Sequence, residues 1–194
     1  MDLLLATGNT HKSREFQELL GDDFQISDLS SLPPVEMPKE TGTTFEQNAV
    51  LKAASVSKIV GQLVIADDSG LEVDALGGAP GIYSARYAGE YASDAANIDK
   101  LLRELRNIEK RSARFRCVTA LARAGKVLGT FDGVVEGTII DPPRGKDGFG
   151  YDPVFQPAGF KETFAEMSPE SKNKISHRAK AIMALRTALR ALRN

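Results

Sequence analysis

Leu63-Val64-Ile65-Ala66-Asp67-Asp68-Ser69-Gly70 is the stretch that decides how this chain is read. An apolar run leads directly into adjacent aspartates. The run reads as a buried strand, and Ser69-Gly70 is expected to break it. The carboxylates then stand at the carboxyl end of a strand, where α/β sheets present their chemistry. Side-by-side carboxylates repel unless a cation lies beside them. Oxygen ligands at such a point suit magnesium, and magnesium points to phosphate chemistry. The bland alternative is a pair of turn-forming aspartates.

Outward from this strand, the pattern alternates β and α. Leu3–Ala6 is a short apolar strand, Thr7-Gly8-Asn9-Thr10 a turn, and Lys12–Leu20 has helical spacing at Phe16, Leu19 and Leu20. Phe24–Ser27 fits a second strand. Residues 28–43 read as a loop, because Pro33, Pro34 and Pro38 exclude regular structure. Thr43 or Thr44 is a fitting N-cap for a helix over Ala49–Val60, with Gly61 at its end. Ser93 caps a helix over Asp94–Arg106. Arg114–Ala122 and Val127–Ile140, joined by Arg123-Ala124-Gly125-Lys126, form an antiparallel hairpin. Tyr151–Phe155 is expected as a strand, and Ser168-Pro169 begins a helical turn. Ser176 is placed as the cap of a last helix, whose apolar face is Ile182, Leu185, Leu189 and Leu192. The expectation is one α/β domain over residues 1–194, with a central mixed sheet flanked by helices.

Composition narrows the function. The 194 residues carry 25 Lys and Arg against 26 Asp and Glu, a net charge of -1. A duplex-binding protein would carry a basic surplus, so nucleic acid is not expected as a partner. No apolar stretch nears the ~20 residues that span a bilayer, so no membrane role is expected. The N-terminus lacks a basic leader, which makes cytoplasmic the default. The only cysteine, Cys117, lies in an alternating strand-like stretch and reads as a buried, inert thiol. With two histidines it leaves too few ligands for structural zinc.

Other segments have chemical content. Thr7-Gly8-Asn9-Thr10-His11-Lys12 joins strand to helix, and a helix N-terminus with a lysine suits phosphate. It lacks the P-loop pattern. Glu40-Thr41-Gly42 lies in the irregular loop, and Asn48 and Lys52 share the next helix face. In Gly148-Phe149-Gly150-Tyr151-Asp152-Pro153, Phe149 suits stacking on a base and Asp152 suits a hydrogen bond to it. Lys172 and Ser176-His177-Arg178 offer donors near one helix start, suited to phosphate or a carbonyl. Ser69 lacks the Gly-x-Ser-x-Gly elbow of a serine hydrolase. Each segment alone also reads as loop or solvated surface.

Together they resemble the inosine triphosphate pyrophosphatases, a family that hydrolyses non-standard purine nucleoside triphosphates. The resemblance rests on these segments, on Asn48-Ala49-Val50-Leu51-Lys52-Ala53, and on Gly77-Gly78-Ala79-Pro80-Gly81-Ile82-Tyr83-Ser84-Ala85-Arg86-Tyr87, all in the family's order. It implies a bilobed α/β fold with the active site in the cleft between lobes, a homodimer, and Mg²⁺ as cofactor. It implies hydrolysis of ITP, dITP or XTP to the monophosphate plus pyrophosphate, which removes them from the nucleotide pool. By resemblance, Thr7, Gly8, Asn9, Thr10, His11 and Lys12 bind the triphosphate, Lys52 binds substrate, and Glu40 and Asp68 hold the metal. Asp68 is also the proton acceptor, with Asp67 close by, and Ser69 contacts substrate. Phe149, Gly150, Tyr151, Asp152, Lys172, His177 and Arg178 hold the nucleotide, chiefly its base. Two rivals share much of this: a pyrophosphatase for modified pyrimidine nucleotides, and a nucleotide sensor without turnover.

Overall fold

A computed structural model describes residues 1–193, and the side chains of all of these except Asp22 and Arg193. Strand β1 (Asp2–Leu5) carries three successive leucines, all buried, as a strand covered on both faces requires. It pairs in parallel with β2 (Gln25–Asp28) and with β3 (Leu63–Val73). Strand β4 (Ser112–Arg123) turns into β5 (Lys126–Ile139) through Ala124 and Gly125, with φ of 50° and 82°. Two left-handed residues are what a tight hairpin turn needs. Strand β6 (Phe155–Pro157) runs antiparallel to β5. The result is a mixed six-stranded sheet in the order β2-β1-β3-β4-β5-β6, in an α/β chain.

The helices are α1 (Thr10–Leu20), α2 (Phe45–Val60), α3 (Asp94–Glu104), α4 (Pro169–Ile175) and α5 (His177–Arg193). Asn9, Thr44, Ser93 and Ser168 cap the first four through their side chains. Gly61 closes α2 in the left-handed conformation, at φ 71°.

The chain forms two compact units. The first comprises Met1–Asp68, Cys117–Gly133 and Arg178–Asn194; the second, Ser69–Arg116 and Val134–His177. In the first, Leu3 and Leu5 of β1 pack with Phe16 and Leu20 of α1 and with Ile182, Leu185 and Leu189 of α5. In the second, Leu71 and Val73 of β3 share a core with Ile98 and Leu101 of α3 and with Phe115, Phe155 and Phe164.

The structure corrects the sequence reading at several points. Ser69-Gly70 does not break β3, which runs on to Val73 because Leu71 and Val73 each reach a core. What ends near the aspartates is the pairing with β1: its last register pair is Leu5 with Ile65, and Ala6 N donates to Ile65 O at 2.7 Å. The pair thus follows the end of the parallel pairing, not the end of the strand. Tyr151–Phe155 is not a strand; Asp152–Val154 forms a 3-10 turn before β6, with Pro153 lacking an amide to give a ladder. Helix α2 starts four residues before Ala49, at Phe45, since Thr44 caps it and Phe45 is buried. Leu192 leaves the apolar face of α5, 52% exposed while Leu189 is fully buried.

Candidate active site

The aspartates make their direct contacts with different cations. Successive strand residues point to opposite faces, and each carboxylate here has its own basic partners. The Asp67 side chain is 1% exposed. Lys12 Nζ lies 2.9 Å from its Oδ2 and Arg178 Nη2 lies 3.3 Å away. Arg178 Nη1 also pairs with Glu15. Burial alone would raise the Asp67 pKa, but the charges of Lys12, Arg178 and Lys52 hold it well below the usual carboxylate range. Asp67 is therefore an anion that fixes two cations. Beside it, burial and the Asp67 charge push the Cys117 thiol up to about 12.

Lys12 is brought there by the β1–α1 turn. The Thr7 hydroxyl accepts from Asn9 N at 3.1 Å, and Asn9 Oδ1 accepts from His11 N at 2.9 Å and Lys12 N at 3.2 Å. Two amides of this helix start are thus already satisfied by Asn9. What the turn presents is Lys12 and the open space around Gly8, where an added Cβ would meet nothing within 4 Å.

Asp68 meets α2 instead. Its Oδ2 accepts from Asn48 Nδ2 at 3.0 Å, and Lys52 Nζ stands 3.9 Å from its Oδ1. The same ammonium donates to Glu40 Oε1 at 2.7 Å. Asn48 and Lys52 are one helical turn apart on α2 and both are buried. Burial raises the Asp68 pKa and Glu40 adds to this, while Lys52 and the Asn48 hydrogen bond oppose it. For Lys52, burial is outweighed by Asp68, Asp67 and Glu40, which keep it protonated. The neighbours thus diverge: Asp67 is locked as an ion, and the Asp68 pKa is raised by burial.

Among the described residues, no group of three or more His, Cys, Asp or Glu side chains could hold a metal. Glu40 and Asp68 share one ammonium and face the same point. Magnesium is commonly held by one or two carboxylates, with phosphate oxygens and waters completing the shell. The donor set fits an ion that arrives with a polyphosphate.

In the second unit, Asp152 Oδ2 accepts from Lys172 Nζ at 2.8 Å and from Phe149 N at 3.0 Å. Lys172 Nζ lies 5.1 Å from the Phe149 ring centroid, within cation–π range. Gly148 is obligatory: φ is 77°, and a Cβ would lie 2.1 Å from Asp152 Oδ2. Gly150 N donates to Asp94 Oδ2 at 2.6 Å, and Tyr151 Oη donates to Ser84 O at 2.9 Å. The His177 ring stacks on Phe115, with centroids 4.7 Å apart. Ser69, on β3, is half-buried and belongs to this unit as well.

The sequence-predicted residues therefore fall into two groups. Lys12, Glu40, Lys52, Asp68 and Arg178 belong to the first unit, with the Thr7–His11 turn. Phe149–Asp152, Lys172 and His177 belong to the second. Sequence reasoning missed Glu15 as the partner of Arg178. Its spacing of three from Lys12 on α1 was the available signal. It also missed that Asn48 touches Asp68, although the shared face with Lys52 was legible.

The Ham1 family model matches residues 3–188. A dITP/XTP pyrophosphatase of Bacillus licheniformis is 52% identical, with 97% of each chain covered. One of Bacillus subtilis is 49% identical, with 98% of each covered. The solved Ham1 protein of Staphylococcus aureus superposes with a TM-score of 0.89 at 44% identity, over 98% of this chain and 99% of that one. A match that starts in β1 and ends in α5 takes in both carboxylate clusters, and the chain belongs to the Ham1 family.

Proposed function

We propose that this chain hydrolyses non-standard purine nucleoside triphosphates (ITP, dITP and XTP) to the monophosphate and pyrophosphate. The observation that carries the reading is the half-buried Glu40 tied through buried Lys52 to buried Asp68, beside the Lys12–Asp67–Arg178 network. Relatives at about half identity bear the name dITP/XTP pyrophosphatase along the whole chain.

The chemistry follows from the residues. A water oxygen attacks the α-phosphorus, a new P–O bond forms, and the bond to the bridging oxygen breaks. Asp68 takes the proton of that water, and its raised pKa makes it the better base of the pair. Lys12 and Lys52 offset charge on the polyphosphate as pyrophosphate departs. Asp67 acts through Lys12 and Arg178, whose positions it fixes. Glu40 and Asp68 would hold Mg²⁺, which supplies further charge neutralisation at the phosphate oxygens. Thr7, Gly8, Asn9, Thr10 and His11 form the turn that accommodates the phosphates, and Ser69 contacts substrate.

In the second unit, Phe149 offers a stacking face, and Asp152 fixes Lys172 against it. Lys172 and His177 supply the donors for a keto oxygen at C6. An amino group there would meet a donor and leave both unpaired, which discriminates by ~10⁴. The chain would act as a homodimer in the cytoplasm, where the nucleotide pool lies.

The test is a panel of ITP, XTP, dUTP, dTTP, ATP and GTP, with and without Mg²⁺, and with the products identified. Monophosphate and pyrophosphate from ITP and XTP, lost in EDTA, is the expected result. Preference for dUTP, orthophosphate as the product, or binding without turnover would overturn the reading.

A further inference from the structure

Asn48 sits 1% exposed between two pieces of the first unit that carry different proposed ligands. Its Oδ1 accepts from Gly42 N at 2.8 Å, two residues from Glu40, and its Nδ2 donates to Asp68 Oδ2 at 3.0 Å. Both ends of the amide are thereby in use, and their chemistry fixes its orientation: only a donor suits the carboxylate, and only an acceptor suits the amide N–H. The fit around Gly42 is close, since a Cβ there would lie 2.6 Å from Asn48 Oδ1 and 2.7 Å from Gln47 Cβ. Gln47 makes a separate tie to the same loop, accepting from Thr43 N at 2.8 Å and from the Thr43 hydroxyl at 3.1 Å. Only Asn48 of these neighbours also reaches Asp68.

We propose that Asn48 is a positioning residue, a single amide that orients the Asp68 carboxylate and registers the Glu40 loop against it. The role rests on the reading of Asp68 as the base and of Glu40 and Asp68 as the magnesium ligands. By taking up Oδ2, Asn48 fixes the rotation of the Asp68 carboxylate and leaves Oδ1 directed toward Lys52. A base displaced by ~1 Å can lose ~10²-fold in rate.

Gln47 supplies the control, because Gln47→Ala cuts a loop tie without touching Asp68. Asn48→Ala should lower kcat for ITP by ~10²-fold with KM for the nucleotide near wild type, and raise the Mg²⁺ concentration for half-maximal rate, while Gln47→Ala stays within about threefold on all counts. Amide exchange of the metal-free protein gives a reading apart from turnover: Gly42 N–H loses protection in Asn48→Ala and keeps it in Gln47→Ala. Asn48→Asp covers the case in which the alanine variant does not fold. It keeps the acceptor for Gly42 and faces Asp68 with a second carboxylate, so Gly42 stays protected while kcat still falls. A folded Asn48→Ala or Asn48→Asp with wild-type kcat would overturn the proposal, as would equal losses in Asn48→Ala and Gln47→Ala. Failure of the wild-type chain to release pyrophosphate from ITP would instead sink the functional reading, and the Gly42 exchange result would still decide whether Asn48 registers the Glu40 loop.

Discussion

At the scale of the residue, Asp67 and Asp68 show how adjacent identical side chains acquire opposite tasks. The pleat sends them to different faces, and the neighbours do the rest. Asp67 meets two cations and is held as an ion, whereas Asp68 meets an amide and a more distant ammonium and is pushed up. Their neutral variants should therefore separate stability from rate. Asp67→Asn takes from Lys12 its buried anion and leaves Arg178 with Glu15 alone, at a cost of about 3–5 kcal/mol in urea unfolding. Asp68→Asn removes a carboxylate that burial disfavours as an ion, so the folded state should be unchanged or more stable. The same variant should lose ~10²–10⁴ in kcat while still binding nucleotide. Near-normal turnover in Asp68→Asn would remove it from the base role. The removal of Arg178 belongs with the first case: Arg178→Ala takes one cation from buried Asp67, which keeps Lys12, and one from Glu15, and should cost about 3–5 kcal/mol.

At the scale of the element, α5 separates what a periodic pattern can tell from what it cannot. Leu185 and Leu189 are fully buried, but Leu192, one further step along the same stripe, is half exposed. Leu185→Ala should cost about 2–5 kcal/mol, and Leu192→Ala no more than about 0.5 kcal/mol, by thermal or chemical unfolding. Equal losses would mean that the stripe packs to its end. Periodicity places a residue on a face, and only the neighbouring elements decide where the cover stops. The same limit explains β3. The apolar run 63–66 was legible as a strand, but a glycine in extended backbone looks in sequence like a glycine in a turn. The continuation to Val73 rests on partners far along the chain, in α3 and β4. Caps were legible because their chemistry is local: Ser93 and Ser168 each bond an amide three residues on. Of the candidate site, Lys12, Lys52 and the aspartate pair were visible in sequence. Glu15 and the Asn48 bridge were not, since their partners lie 163 and 20 residues away.

At the scale of the whole molecule, Cys117 offers a reporter that function itself should move. The thiol is fully buried and pushed up to about 12, so almost no thiolate exists in the folded protein near neutral pH. Reaction with an aromatic disulfide reagent then requires an opening that exposes β4, and the labelling rate tracks the population of that open state. Under the proposed function the folded first unit binds magnesium nucleotide, and the unfolded chain has no such site. Binding therefore multiplies protection by 1 + [L]/Kd, which at 100 times Kd is about 100-fold, or about 2.7 kcal/mol. Three conditions make the measurement specific. With Asp68→Asn, which should bind without turnover, magnesium ITP should slow labelling by that factor throughout the experiment. With EDTA, the slowing should shrink. With ATP at the same concentration, it should be much weaker if the base is read at C6. Rapid labelling of the ligand-free folded protein would show that β4 is not sealed. Equal protection by ITP and ATP would place the selectivity after binding, in the chemical step.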